Sequence, residues 1–163
     1  MMRVYLPMTL GALAAALDAG TVEAPVAYAV TPALREWYIE GDIEELEHAA
    51  AAVAARFSLR RITGDAAARR VVLAADVPDR EARPAPDLDR AAVRLTEPVS
   101  LAQVVAALVD DPDAAEDVHR GVTALAAADA GDADAAFTVD SVEDHELAWY
   151  AVQELAALVA IEG

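Results

Sequence analysis

The sequence predicts a single domain, residues 1–163, of the α/β class and the α+β type. We expect a two-layer fold in which helices pack on a mixed sheet of about five strands. Its length of 163 residues suits one ordinary domain. Short β-branched runs alternate with longer segments whose apolar residues recur every three or four positions. With 56% hydrophobic and 25% charged residues, the composition is that of a globular chain and not of a disordered one.

The first forty residues predict the order strand, helix, strand, helix. Residues 3–6 form a short β-type run, and Thr9 suits the N-cap of a helix that Gly20 ends. Residues 26–30 predict a second strand because they are apolar and few. Thr31, followed by a proline, predicts the start of the next helix, since this pair is typical of a first turn.

A long amphipathic helix is predicted from Asp42 to about Arg61. Asp42 is a suitable N-cap, and Glu45 stands three residues on as a capping-box partner. The apolar face contains Ile43, Leu46, Ala50, Val53 and Phe57. Acids cluster at the start of the helix and arginines at its end, which complements the helix dipole. These charges therefore need no binding function to explain them.

The second half predicts further strands and two helices. Residues 71–75 form the clearest strand, and its continuous β-branched character indicates a central position in the sheet. Residues 92–96 and 104–109 predict two more strands. A helix is expected from about Asp111 and a last helix over 142–159, with an acidic loop between them.

The proline-rich loop 78–90 divides the chain into possible halves, 1–77 and 91–163. A weak internal repeat accompanies this division, because DIEELEHAA at 42–50 resembles EDHELAWYA at 143–151. Two β-α-β-α halves would together build one sheet. Chance similarity between alanine-rich helices is the alternative explanation.

The net charge of −17 is unevenly distributed. Residues 1–90 carry 10 arginines and 14 acids, net −4, whereas residues 91–163 carry 2 arginines and 15 acids, net −13. Such a field repels phosphate backbones, so direct binding of nucleic acid is not expected. Residues 110–144 either mimic nucleic acid toward a basic partner or only keep the protein solvated.

The composition also predicts a cytoplasmic protein that does not enter a membrane. The chain has no cysteine, which excludes a disulfide framework and thiolate chemistry. No run approaches the ~18 apolar residues of a membrane span. The alanine-leucine segment 10–17 lacks a convincing cleavage site and fits a helix better than a signal sequence.

Catalytic motifs are absent from the sequence, and no cofactor is predicted. There is no glycine-rich phosphate loop, no GxSxG and no HExxH. The weak catalytic candidates are Arg35, Glu45, Asp144, His145 and Glu146. Among them, an imidazole flanked by carboxylates suits a metal ligand or a base, while an acidic first turn of a helix is the plainer explanation.

A metal site is not predicted, although three acids are weak candidates for oxygen ligands. Asp113, Glu116 and Asp117 would be neighbours on a helix and suit Mg²⁺ or Ca²⁺. The alternative is again a helix N-terminus carrying acids, which is common.

Two aromatic pairs, Trp37-Tyr38 and Trp149-Tyr150, hold four of the eight aromatic residues and are the candidates for binding a partner. On the predicted last helix, Trp149 points roughly 200° away from Leu147 of the core face. Trp149 is therefore either covered by a loop or part of an exposed contact surface, where large aromatics favour binding.

Three stretches resemble a known family. They are TPALREWYIEGDIEELEHAA (31–50), RRVVLAADVPD (69–79) and DHELAWYAVQEL (144–155), preceded by the start MRVYLP (2–7). Together they resemble short actinobacterial proteins known as a domain of unknown function. The resemblance covers most of the chain and implies a lineage, but no activity, substrate or site.

Three functions remain open at this point. The first is a non-enzymatic interaction or regulatory protein that acts through its acidic surface and exposed aromatics on an unidentified protein partner. The second is a small hydrolase-like or metal-dependent enzyme that uses Asp, Glu, His and Arg side chains. The third is a binder of a basic partner, or a nucleic-acid mimic, through residues 110–144. A homodimer is compatible with each of them.

Overall fold

The computed structural model of the chain describes residues 1–63 and 67–162. In these residues the strands are β1 (Met2–Met8), β2 (Thr21–Val22), β3 (Val26–Ala29), β4 (Val71–Val77), β5 (Ala82–Pro84), β6 (Ala92–Leu95), β7 (Val99–Ser100), β8 (Val104–Asp110) and β9 (Leu147–Ala151). The helices are α1 (Leu10–Ala19), α2 (Pro32–Trp37), α3 (Ile43–Arg61), α4 (Ala115–Asp129), α5 (Ala133–Ser141) and α6 (Leu155–Glu162).

The main sheet confirms the α+β class but is larger than predicted. Seven strands lie in the order β5-β6-β3-β1-β4-β8-β9, and β2 pairs with β7 in a separate ribbon. Every neighbouring pair in the main sheet is antiparallel, so the prediction of a mixed sheet is wrong. The predicted count fell short because the strands near both edges are short or weakly patterned.

Helices cover both faces of this sheet, so the arrangement has three layers and not the predicted two. Strand alternation directs Val4 and Leu6 of β1 into a core that includes residues of α1 and α6. Tyr5, between them, points to the other face and packs in a second core with residues of α2 and α3. Strands buried on both faces are continuously apolar, as residues 71–75 of β4 are.

The helix boundaries in the first half confirm the predictions from capping residues. The Thr9 hydroxyl accepts from the N–H of Ala12, and Gly20 ends α1 with a φ of 81°. The carboxylate of Asp42 accepts from the N–H of Glu45 at 2.9 Å, and α3 runs to Arg61 as expected. Short-range capping chemistry is therefore sufficient to place these ends.

The proline-rich segment 78–90 is not entirely a loop. It contains a 3-10 turn at Asp79–Glu81 and the edge strand β5, which ends at Pro84. Proline is tolerated in a sheet at an edge, where its missing N–H leaves no ladder bond unmade. Proline content alone therefore could not separate a loop from this strand.

The C-terminal predictions are wrong in two places. The acidic segment predicted as a loop after residue 129 already contains the start of α5, which follows a turn at Gly131 with a φ of 100°. The helix predicted over 142–159 is replaced by a 3-10 turn (Val142–Asp144), strand β9 and the shorter helix α6. Pairing with the outer edge of β8 provides β9 with hydrogen bonds that the isolated sequence does not reveal.

The predicted internal repeat is not shown. Residues 42–50 cap and begin α3, whereas residues 143–151 contain a 3-10 turn and β9. The two possible halves contribute strands to the same sheet, since β6 pairs with β3 and β8 pairs with β4.

Helices α4 and α5 form a hairpin that packs against the end of α3 in a third apolar cluster. Gly121 of α4 is buried there, and a Cβ at this position would lie 2.5 Å from Cγ2 of Val142. Only a glycine allows this close approach, which sets the 3-10 turn before β9 against α4. Among the described residues, none of the helices combines the length and apolar character needed to cross a membrane.

Candidate functional site

A groove runs beside the edge strand β9, on the sheet face that carries α3. This β9 groove is lined by His48, Ala51 and Ala55 of α3, Leu108 of β8, and Leu147 and Trp149 of β9. It consists of adjoining cavities of about 190 and 540 Å³. The groove exists because α3 packs over β3, β1 and β4 and leaves the outer strands of this face open.

Strand alternation determines which β9 side chains face the groove. Trp149 pairs with Leu108, so it lies on the α3 face, and its side chain is 65% exposed. Tyr150 points to the opposite face, where it packs against the main core. In the predicted helix, the side chains of these two residues would not point in opposite directions. In the strand they do, because successive side chains of a strand point to opposite faces of the sheet.

The backbone pattern of β8 shows which β9 groups bond to it. The N–H of Asp110 donates to the carbonyl of Arg70, on the side of β4. Because the direction of backbone groups alternates along a strand, those of Val109 point to β9. Its partner Ala148 therefore forms the ladder bonds with β8, as does Tyr150 two residues on.

Leu147 and Trp149 consequently direct their backbone N–H and C=O groups away from the sheet. Ala151 has the same orientation, and its N–H donates to Glu154 Oε2 at 2.8 Å instead of to β8. This side-chain contact ends the free edge. The open part of the β9 backbone is therefore a short segment of two outward-facing residues.

A buried ion pair closes the inner end of the groove. The side chain of Arg70 is 4% exposed, and that of Asp110 is 0% exposed. The guanidinium donates twice to the carboxylate, from Nε to Oδ2 at 2.9 Å and from Nη2 to Oδ1 at 2.8 Å. Nη2 also donates to the carbonyl of His145 at 2.8 Å. The pair thus holds the segment before β9 in place while adding no net charge to the groove.

His145 lines the larger cavity together with His48. Its Nε2 lies 2.7 Å from Oδ2 of Asp117 on α4. The hydrogen bond from His145 is the main cause that lowers the pKa of Asp117, and Arg120 adds to it. The same carboxylate accepts from Arg120 Nη1 at 2.6 Å, so it is already shared between two partners.

The floor of the groove near Trp149 contains a buried phenol. The hydroxyl of Tyr5 donates to Glu47 Oε2 at 3.2 Å. Burial, together with the nearby charge of Glu47, raises the pKa of Tyr5 to about 12. Tyr5 therefore stays protonated at neutral pH and acts as a hydrogen-bond donor to Glu47.

The groove has an excess of negative charge at its rim. Arg56 forms an ion pair with Glu143, and Arg3 forms one with Asp76 through Nε and Oδ1 at 2.6 Å. Asp144 and Glu146 are exposed and form no ion pair within residues 1–63 and 67–162. A positively charged ligand is thus favoured here over a negatively charged one.

The structure brings together three of the five weak catalytic candidates. Asp144, His145 and Glu146 all line the larger cavity. Arg35 is exposed on α2 and Glu45 on the first turn of α3, and neither of them lines the β9 groove.

Two of the three weak metal-ligand candidates lie close to a cation. Arg120 contacts Asp117 and lies 3.8 Å from Glu116, while Asp113 is exposed in the 3-10 turn before α4. A guanidinium beside these carboxylates disfavours a second cation. Among the described residues, no three of the His, Asp and Glu side chains gather closely enough to hold a metal ion.

The other aromatic pair, Trp37-Tyr38, lies outside the groove at the end of α2. Trp37 is 60% exposed, and the guanidinium carbon of Arg90 lies 3.7 Å from the centre of its ring. Its indole face is therefore occupied by a cation from the same chain.

Arg70 and Asp110 are the site residues that the sequence analysis missed. Asp110 looks like the first of several acids that follow the predicted strand 104–109, and Arg70 like one more arginine before residues 71–75. Their positions are the available signal, because each directly adjoins a predicted apolar strand, where a buried charge needs a partner.

Comparison with known proteins identifies one family model, which matches residues 2–159 and is described as a family of unknown function (DUF6912). No curated protein and no solved structure matches the chain.

Proposed function

The chain belongs to DUF6912, a family of unknown function, and we propose that it is an interaction module that binds a partner protein at the β9 groove. The observation that supports this proposal most directly is the position of Trp149. Its side chain is 65% exposed on an edge strand and forms one wall of the groove. Tryptophan is enriched among the residues that dominate binding energy, particularly beside pockets that exclude water.

Two further features support this proposal. The half-buried ring of Tyr150 and the buried Arg70–Asp110 pair hold β9 and the segment before it, so Trp149 is displayed on a rigid support. A preorganised surface loses less conformational entropy when a partner binds. We propose further that the protein is actinobacterial and cytoplasmic and that it does not bind nucleic acid directly.

Photocrosslinking in the host tests the proposal. A benzophenone amino acid at position 148, an exposed alanine of β9, is compared with one at position 126, an exposed alanine of α4. We expect a protein adduct from position 148 alone. Trp149→Ala should remove the adduct and Trp37→Ala should leave it, since both tryptophans are exposed to a similar degree. Adducts that persist with Trp149→Ala would exclude the β9 groove as the binding surface.

A second candidate function is acid–base catalysis, and the contact between His145 and Asp117 favours it. A carboxylate that holds one ring nitrogen of a histidine orients the ring for proton transfer. His48 lines the same cavity and supplies a second imidazole.

Hydrolysis of nitrophenyl esters and phosphates provides a test of this candidate. Catalysis at the groove requires a rate that His145→Gln lowers at least tenfold and that Arg35→Gln leaves unchanged. Calorimetry with Mg²⁺, Mn²⁺ and Zn²⁺ tests the metal-dependent version. Absence of hydrolysis and of binding heat would remove this candidate and leave the interaction module.

A further inference from the structure

We infer that the occupant of the β9 groove is an extended, arginine- or lysine-containing segment of a partner protein, which pairs with the free edge of β9 and places a cationic side chain on Trp149. This inference rests on the proposed function and adds the chemistry of the partner. Three independent observations carry it: the direction of the backbone groups, the open indole face and the unpaired carboxylates.

The first observation is the direction of the backbone groups of β9. Leu147 and Trp149 direct their N–H and C=O groups away from β8, and the contact between Ala151 and Glu154 ends this free edge. An extended segment recognised in this way obtains affinity from main-chain hydrogen bonds and specificity from alternate side chains. Because the free edge is short, side-chain contacts must supply much of the specificity.

The indole face of Trp149 provides the second step. Trp37 has Arg90 over its ring at 3.7 Å, whereas Trp149 has no cation over its ring within the described part of the chain. A guanidinium or ammonium over tryptophan is the strongest of the common cation–π contacts. One of the two exposed indoles is thus covered by a cation of the same chain, and the other is open to a ligand.

The rim charge provides the third step. Arg56 and Arg70 both contact the segment before β9, and they are neutralised by Glu143 and Asp110. Asp144 and Glu146 remain without an ion pair within the described ranges. Attraction at this edge therefore selects a basic segment and repels acidic or phosphorylated ones.

The same charges disfavour a second copy of the chain as the occupant. Each copy carries a net charge of −17, of which −13 lies in residues 91–163, the half that contains β9. Two copies with the same sign of charge repel each other. A heterologous basic segment has no such conflict.

The test uses the full chain and a fluorescein-labelled peptide of four alternating arginine and threonine residue pairs. Anisotropy at about 0.15 M salt, where the Debye length is about 8 Å, suppresses long-range attraction to the acidic protein. One control peptide has citrulline in place of arginine, which keeps the shape and removes the charge. Another has methyl groups on alternate backbone nitrogens, which prevent strand pairing and keep the charge.

We expect each control peptide to bind about tenfold more weakly than the parent. Trp149→Ala should weaken the parent about tenfold, while Trp37→Ala should not change its binding. Asp144→Asn with Glu146→Gln should weaken it about fivefold. The matched pair Glu23→Gln with Glu97→Gln removes the same charge from another surface and should have no effect.

Equal binding of the parent and methylated peptides would overturn strand pairing, and equal binding of the citrulline peptide would overturn cation recognition. Equal effects of the two charge-removing pairs would reduce binding to general acidity. A dimer in sedimentation that Trp149→Ala dissociates would identify a second copy as the occupant. If the crosslinked partner depends on Trp149 but these peptides fail, this inference is wrong and the proposed function stands; if neither depends on Trp149, both are wrong.

Discussion

The two tryptophan–tyrosine pairs share a dipeptide sequence, and their tryptophans are 60% and 65% exposed, yet their surroundings differ. Trp37 and Tyr38 lie at the end of a short helix, where both side chains remain exposed and Arg90 covers the indole. In the other pair, strand alternation directs one ring to the core and the other to the groove. The same dipeptide can thus have its tryptophan covered by a cation of the same chain, or have its tyrosine packed in the core and its tryptophan open to solvent. Its secondary structure decides between the two.

The supports of the two pairs differ as well. The segment before β9 is held by the buried ion pair of Arg70 and Asp110. The start of α2 is held by Thr31, whose hydroxyl accepts from the N–H of Leu34 and donates to the carbonyl of Arg90. Substitutions in each support should therefore perturb one tryptophan and leave the other unchanged.

The largest effect is expected from Asp110→Ala, which leaves the buried guanidinium of Arg70 unpaired. The free energy of unfolding should fall by about 3–5 kcal/mol in urea denaturation. The emission of Trp149 should change while that of Trp37 stays constant. Arg94→Gln is the control, because its ion pair with Asp87 is exposed to solvent and should contribute little to stability. A similar loss in both variants would contradict a special role for the buried pair.

Tyr150→Ala should rank second, at about 2–3 kcal/mol, because it removes a ring that packs against the core. Trp149→Ala should change the free energy of unfolding by at most about 0.5 kcal/mol, as expected for an exposed side chain. Urea denaturation of both variants measures the contrast. Equal losses would show that Trp149 is packed and unavailable to a ligand.

Thr31→Ala should lower the free energy of unfolding by about 1–2 kcal/mol, because the cap of α2 and a bond to Arg90 are both lost. The matched variant is Thr9→Ala, which loses only the cap of α1 and should cost about 0.5–1 kcal/mol. Thermal unfolding checks the order. A larger effect at Thr9 would indicate that the bond from Thr31 to Arg90 contributes nothing.

Arg90→Gln should have a smaller effect, about 0.5–1 kcal/mol, since it removes one cation–π contact at an exposed ring. Fluorescence in a Trp149→Phe background should show a changed emission of Trp37. The variant should then also expose an open indole at α2. If it acquires affinity for the arginine–threonine peptide, the open ring is sufficient for cation binding; if it does not, the β9 edge is required as well.

The smallest effect is expected on the stability of the folded protein at acidic pH. Asp117 has a pKa below its usual value of about 3.9, chiefly because of its bond to His145. A carboxyl whose pKa is lower in the folded state contributes stability above its unfolded pKa and loses it as the pH falls through the folded pKa. Asp117→Asn should therefore flatten the decline in stability below about pH 5, measured by urea denaturation. An unchanged decline would show that other carboxyls are responsible.

Interactions between near neighbours in the chain can be predicted from the sequence, whereas interactions between distant segments cannot. The ends of α1 and α3 were predicted because Thr9, Gly20 and Asp42 act on backbone groups within four residues. β9 was missed because its alanine-rich surroundings suit a helix, whereas its strand form depends on β8, about forty residues earlier. Three site candidates, 144–146, were found by their charges, while Arg70 and Asp110 were missed because their pairing crosses two strands.

The sequence by itself determined the α+β class, the ends of the helices in the first half and the acidic character of the second half. These properties depend on composition and on contacts between near neighbours. The tertiary structure decided that the sheet has seven antiparallel strands, that helices cover both faces, and that Trp149 stands open beside a groove while Tyr150 is packed. Those outcomes depend on which strands meet at β8 and how far α3 reaches across the sheet, and such long-range pairings leave no periodic signal in a short edge strand.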